Sequence, residues 1–185
     1  MSFIVTFFAH GTTLDNEANI ATGWMPGELS LRGRGECAQL RHQIAPTTFD
    51  GVFTSDLARS IMSAQIIFEP AYSIEIDSRL RECDYGAMTG AAASEVFSCI
   101  HNHVEEPFPG GESLLDVQER VASFVEGLRE GGAPGSNIAI VGHQGTQLAL
   151  EVLLNGKSWA EALSEDWRGS GRWRPGWPYH VQDEP

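Results

Sequence analysis

Positive charge is scarce in this 185-residue chain: 12 lysines and arginines stand against 25 acidic residues, for a formal net charge of −13. Phosphate backbones and anionic membrane surfaces repel such a chain unless its few cations are focused in one place, so neither nucleic acid nor membrane is an expected partner. Cysteine is sparse as well. Cys37, Cys83 and Cys99 are odd in number and none forms a CxxC pair, which fits reduced thiols better than a disulfide frame or a zinc site. No apolar run approaches the length of a membrane span, and Met1-Ser2-Phe3-Ile4 lacks the basic head and cleavage site of a signal peptide, so the chain reads as cytoplasmic. No internal repeat or linker forces a second domain, and the length suits a single domain over 1–185. What is present, 42% hydrophobic residues with nine phenylalanines, suffices for a packed core.

Hydrophobic patterning divides the chain into alternating strands and helices. Phe3-Ile4-Val5-Thr6-Phe7-Phe8 reads as a buried strand that stops at Ala9-His10-Gly11. Leu31, Cys37, Leu40 and Ile44 predict a helix over 31–44 capped by Ser30. Gly51-Val52-Phe53 leads to Thr54-Ser55-Asp56 and a second helix marked by Leu57, Ile61, Ala64 and Phe68, with Ser55 as its expected cap. Tyr72 to Ile76 reads as a short strand before the polar stretch Asp77 to Gly90. The apolar face Leu114, Leu115, Val117, Val121, Phe124, Val125 and Leu128 predicts a long helix between Ser113 and Gly131-Gly132. Asn137 to Val141 predicts a buried strand that stops at Gly142-His143-Gln144-Gly145, followed by a helix ending near Gly156. The expected fold is α/β, a three-layer α/β/α arrangement with a mostly parallel central sheet. From Trp167 to Pro185, Trp, Arg, Gly and Pro crowd together without periodicity, which predicts an irregular tail.

In such folds ligands bind beyond the carboxyl ends of the strands, so His10, the Ser55 to Arg59 turn and His143 should face one crevice. A histidine on a strand-to-helix loop can act as a nucleophile, and the adjoining helix N-terminus offers N–H groups to an anion. A phosphoryl group suits that setting.

The same residues resemble the histidine phosphatase superfamily, the phosphoglycerate mutase-like group. Phe8-Ala9-His10-Gly11-Thr12-Thr13 followed by Asn16 is similar to the opening Arg-His-Gly-Glu-Thr/Ser motif with its downstream Asn. Thr22-Gly23-Trp24, Leu29-Ser30-Leu31-Arg32-Gly33 and Thr54-Ser55-Asp56-Leu57-Ala58-Arg59-Ser60 resemble the next segments in order. Arg81-Glu82-Cys83-Asp84-Tyr85-Gly86 through Gly90 resembles the stretch with the acidic proton donor, and Pro109-Gly110-Gly111-Glu112-Ser113 and Gly142-His143 complete the set. The resemblance implies a phosphoglycerate mutase-like fold and a hydrolase that removes phosphate from a small-molecule phosphomonoester without metal or cofactor. His10 would attack phosphorus, Glu82 would protonate the leaving oxygen, and His143 and Arg59 would hold the equatorial oxygens. Gly11, Thr12, Asn16, Thr22, Gly23 and Gln144 would bind substrate. The interval from Glu82 to His143 is short beside that of a cofactor-dependent mutase, which favours hydrolysis.

Three positions depart from the pattern. Ala9 stands where the superfamily has arginine, Thr12 where it commonly has glutamate, and Gln144 where glycine commonly follows the second histidine. An arginine fork gives phosphate two charge-assisted hydrogen bonds, each worth roughly 1.5–3 kcal/mol. Three readings of the loss stand side by side. Another arginine, from Arg32, Arg34, Arg81, Arg168, Arg172 or Arg174, refills the space. Alternatively His10, Glu82 and His143 perform acid–base chemistry on a non-phosphorylated small molecule, or the chain binds a ligand without turnover.

Other features have plainer readings. His101-Asn102-His103 invites a metal, but a solvated loop is the simpler reading. Cys83 beside Glu82 reads as a packed small residue. Trp159, Trp167, Trp173 and Trp177 read as rings pinning the tail to the body, with a substrate wall or a homodimer contact as the other readings.

Overall fold

The apolar run Phe3–Ala9 forms β1, an inner strand of a five-stranded sheet, in the computed structural model, which describes residues 2–131, 134–170 and 174–182. In chain order there follow α1 (Leu14–Glu17), α2 (Leu31–Ile44), β2 (Gly51–Thr54), α3 (Ala58–Phe68), β3 (Glu75–Ile76), α4 (Ala93–Cys99), α5 (Leu114–Gly131), β4 (Asn137–Gly142), α6 (Gln144–Asn155), α7 (Trp159–Ser164), α8 (Trp167–Ser170) and β5 (Trp177–Val181). The sheet order is β3-β2-β4-β1-β5; the first four strands are parallel and β5 lies antiparallel on the free edge of β1.

Both faces of the sheet are covered, which is why β1 and β4 read as nearly continuous apolar runs. Successive side chains point to opposite faces. Phe8 joins Cys37, Leu40, Ala64, Phe68 and Val141 in a core under α2 and α3. Phe7 joins Val117, Val121, Phe124, Ile140 and Leu148 in a second core under α5 and α6. These are the three layers that the alternation predicts. Among the described residues no helix is long and apolar enough to cross a membrane.

Ser30 caps α2 as expected, accepting from the Gly33 N–H at 3.1 Å. Three expectations need correction. The strand expected over Tyr72 to Ile76 shrinks to Glu75–Ile76, which pair with Phe53 and Thr54, because Tyr72 turns back onto the end of α3: its N–H donates to Phe68 O and its ring packs on Phe49 and Phe68. Ser55 does not cap α3, whose first turn has Leu57 at its N-terminal boundary and no side-chain cap. The tail is not irregular throughout: residues 167–170 form a helical turn and 177–181 form β5, alternating buried and exposed with Pro178 outward. An edge strand tolerates proline because one row of its backbone groups needs no partner.

Candidate active site

Register places the site. Ala9 of β1 pairs with Gly142 of β4, so His10 and His143 leave neighbouring parallel strands at the same level. The His10 N–H donates to Gly142 O at 3.1 Å, and the two ring centroids lie 5.1 Å apart. His10 Nδ1 is 2.8 Å from Gly11 O. A carbonyl can only accept, so Nδ1 carries the proton and Nε2 keeps its lone pair. Burial, reinforced by the Arg59 guanidinium and more weakly by Arg168, lowers the His10 pKa to about 3 against the opposing Gly11 bond. The ring is therefore neutral at pH 7.

His143 stands at the N-terminal boundary of α6 and is fully buried, with Nε2 2.7 Å from Ser55 Oγ. Burial first, then the charge of Arg59, hold its pKa well below the usual histidine value. Its Nδ1 has no hydrogen-bond partner among the described residues. Arg59 projects from α3 and is only 2% exposed; Nη1 donates to Met25 O and Nη2 to Gly23 O, each at 2.8 Å. Among the described residues it has no salt-bridge partner. Burial disfavours its charge more than the more distant carboxylates of Glu82 and Asp15 favour it, and an entering anion offsets that cost.

Glu82 is clamped. Its Oε1 accepts from the N–H groups of Cys83 (2.9 Å) and Gly145 (2.7 Å), and Oε2 from that of Gln144 (3.1 Å). A Cβ at position 145 would sit 2.6 Å from Glu82 Oε1, so only glycine admits this approach. The backbone carbonyl of Glu82 accepts from Trp24 Nε1 and Arg120 Nη2. Arg120 also donates to the carbonyls of Arg79 and Arg81 and pairs with Glu112, fixing the whole loop from α5.

A crevice of about 1120 Å³ opens over these groups. His10, Arg59, Glu82 and Gln144 lie at its charged end, with Thr12, Asn16, Thr22 and Gly23 beside them. Asn16 Oδ1 accepts from the Thr13 N–H in a capping box at α1, and its amide nitrogen is uncommitted among the described residues. Thr12 lines the crevice, but its hydroxyl and N–H both donate to Glu36 Oε2. Gly11 lies beneath the wall: its N–H donates to Ser63 Oγ and its carbonyl is taken by His10. The Thr22 hydroxyl donates to Asp15, and Gly23 contributes its carbonyl to Arg59. Ile20, Ala21, Phe97, Ile100 and Leu163 supply the apolar part of the lining, beside the polar Asn19, His101, Ser164 and Glu165.

The histidine phosphatase superfamily (branch 1) family model matches residues 5–167. The chain belongs to this superfamily. It is 31% identical over 164 residues to a 2,3-bisphosphoglycerate-dependent phosphoglycerate mutase of Cytophaga hutchinsonii, covering 82% of this chain and 76% of the relative. It is 28% identical over 156 residues to a protein named putative phosphoserine phosphatase 2 of Hydrogenobacter thermophilus, covering 80% and 76%. In fold it resembles a mycobacterial glucosyl-3-phosphoglycerate phosphatase, with a TM-score of 0.76 at 24% identity over 87% of this chain and 86% of that one. Mutases and phosphatases thus both stand among the relatives of this superfamily member, and its fold is phosphoglycerate mutase-like.

Several residues around the site gave no sequence signal of their role. Ser55 faces His143 instead of capping a helix; Arg120 and Glu112 fix the Glu82 loop from a distance; Ser63 anchors Gly11. Of these, Ser55 and Glu112 lay inside motifs. Asp166, which accepts from Gln144 Nε2, stands immediately before the segment without periodicity. Of the arginines that could substitute for position 9, exposed Arg32 pairs with half-buried Glu36, Arg34 lies against Met62, and Arg81 pairs with Asp56 over the Trp24 ring. Arg174 is exposed, Arg172 lies outside the described residues, and Arg168 lines the crevice. His101 borders the crevice and His103 stacks on Phe108 at 3.8 Å. Cys83 is 1% exposed and its thiol pKa is raised, chiefly by burial. Trp159 is buried, Trp167 lines the crevice and stacks on Trp177, and Trp173 lies outside the described residues.

Proposed function

We propose that this protein hydrolyses a small-molecule phosphomonoester through a phosphohistidine at His10. The observation that carries the reading is a neutral His10 whose proton is fixed on Nδ1 beside a buried Arg59 that has no direct salt bridge among the described residues. His10 Nε2 attacks phosphorus, forming an N–P bond as the ester P–O bond breaks. The leaving oxygen takes a proton from the Glu82 carboxyl group, for which Oε2, with one backbone partner, is the available oxygen. Water then attacks phosphorus, gives its proton back to Glu82 and releases phosphate from His10. Arg59 neutralises charge on the equatorial oxygens throughout. With the Ser55 proton given to His143 Nε2, the His143 proton sits on Nδ1 as a further donor. Hydrolysis of a monoester is favoured over mutase chemistry because much of the lining is apolar and, among the described residues, the arginines that line the crevice are Arg59 and Arg168, too few for a bisphosphate.

Phosphate release from a panel of phosphomonoesters, with a chelator present, tests the reading. Wild type is expected to turn over at least one ester with an apolar alcohol portion, and His10→Ala none. An inert wild type across the panel, or an active His10→Ala, overturns it; if Ala9→Arg alone gains activity, the pocket serves a ligand without phosphate.

A further inference from the structure

We propose that Arg168 is the phosphate-gripping cation that replaces the arginine missing at position 9, and that Asp166 and Gln144 are the positioning residues that hold it there. This rests on the phosphoryl-transfer reading above.

Three observations converge. The first is a stack of rings that carries α8 to the right place. Phe7 and Ala9 project from the same face of β1. Phe7 meets Trp177 of β5 edge-on at 6.3 Å, Trp177 stacks on Trp167 at 5.1 Å, and the Arg168 guanidinium lies 4.6 Å over the Trp167 ring. Ala9 and Trp167 pack against the same core, and Ala9, Trp167 and Arg168 line the same crevice. The cation therefore arrives over the face from which a side chain at position 9 would project.

The second is its anchor. The Asp166 side chain is 8% exposed. Its Oδ1 accepts from the Arg168 backbone N–H at 3.1 Å and from Nη1 at 3.0 Å, while Oδ2 accepts from Gln144 Nε2. Gln144 is one of the departures from the superfamily pattern, and a glycine at that position has no side chain to bind Asp166. One device thus joins two departures: Ala9 vacates the space, and Gln144 ties down the segment that refills it. The remaining guanidinium N–H groups of Arg168 are uncommitted among the described residues.

The third is reach. The charge of Arg168 acts on both His10 and His143, disfavouring their protonated forms. The superfamily match ends at residue 167, so Arg168 lies immediately beyond the part of the chain in which the pattern would have assigned it a role.

The test pairs binding of inorganic phosphate, followed by calorimetry, with kcat/KM on p-nitrophenyl phosphate. Arg168→Ala is expected to lower kcat/KM by about a hundredfold or more and to weaken phosphate binding, with Arg168→Lys recovering part of each. Adding Ala9→Arg to Arg168→Ala is expected to restore much of the loss. Asp166→Ala should be rescued by Ala9→Arg in the same way, because both variants lose the same cation; a merely structural loss at Asp166 would not be. His10→Ala separates the two readings, since it abolishes turnover but retains phosphate binding. If wild type is active, His10→Ala inert and Arg168→Ala unchanged in both measurements, the role of Arg168 is overturned and the phosphohistidine reading stands. If wild type turns nothing over, phosphate binding alone decides, and an affinity that Arg168→Ala does not reduce, or no binding at all, overturns the proposal.

Discussion

A histidine that must attack phosphorus has to keep its lone pair, and here both histidines are kept neutral by their surroundings. Unfolded, an imidazole protonates near pH 6.5; folded, His10 does so only near 3. Between those values the unfolded chain binds more protons, so the stability associated with a neutral His10 is intact above about pH 6.5 and is lost as the pH falls toward 3. His143 contributes in the same direction. Urea unfolding midpoints measured from about pH 7 to about 4 should fall for wild type and fall less for His10→Asn. For the same reason the His10 ring signals followed by NMR should show no titration near pH 6.5, and a midpoint there would contradict the assignment.

At the scale of elements, α2 carries two glycines with opposite duties. A Cβ on Gly33 would lie 2.0 Å from Thr12 O, whereas one on Gly35 would meet nothing within 4 Å. Gly33 lets α2 lie directly against the loop that bears His10; Gly35 is an exposed helical position. Gly33→Ala is expected to destabilise by about 1–3 kcal/mol, and Gly35→Ala to stabilise by about 0.5–1 kcal/mol, both read from urea denaturation. The two look alike in sequence, which shows what patterning reaches. The helices over 31–44 and 114–131 and the strands ending at His10 and His143 are legible because their apolar spacing is dictated by burial. Strand β5 is not, since Pro178 and the neighbouring glycine and tryptophans conceal a strand whose alternation serves one buried face. Nor is the site complete in sequence. Nothing near Thr12 says that its hydroxyl goes to Glu36, and nothing near Asp166 says that it meets Gln144, because both bonds span distant parts of the chain.

For the whole molecule, the excess of acid sets the tone. A net charge of −13 on a folded body repels itself, and salt screens that repulsion over roughly 10 Å at 0.1 M. The denaturation midpoint at neutral pH should therefore rise between about 20 and about 300 mM sodium chloride, and a flat or falling response would show that local ion pairs such as Arg120–Glu112 outweigh the net field.

The sheet order also imposes a timetable on biosynthesis. Strand β1 precedes β4 and β5, yet in the finished sheet it lies between them. At roughly 5–20 residues per second, the ribosome leaves Phe3-Ile4-Val5-Thr6-Phe7-Phe8 without either neighbour for several seconds or more. An uncharged, β-branched and aromatic segment is most prone to pair with another chain in that interval. The nascent protein is thus most dependent on chaperones before Asn137–Gly142 emerges, and His10 and His143 first come together only when that strand docks.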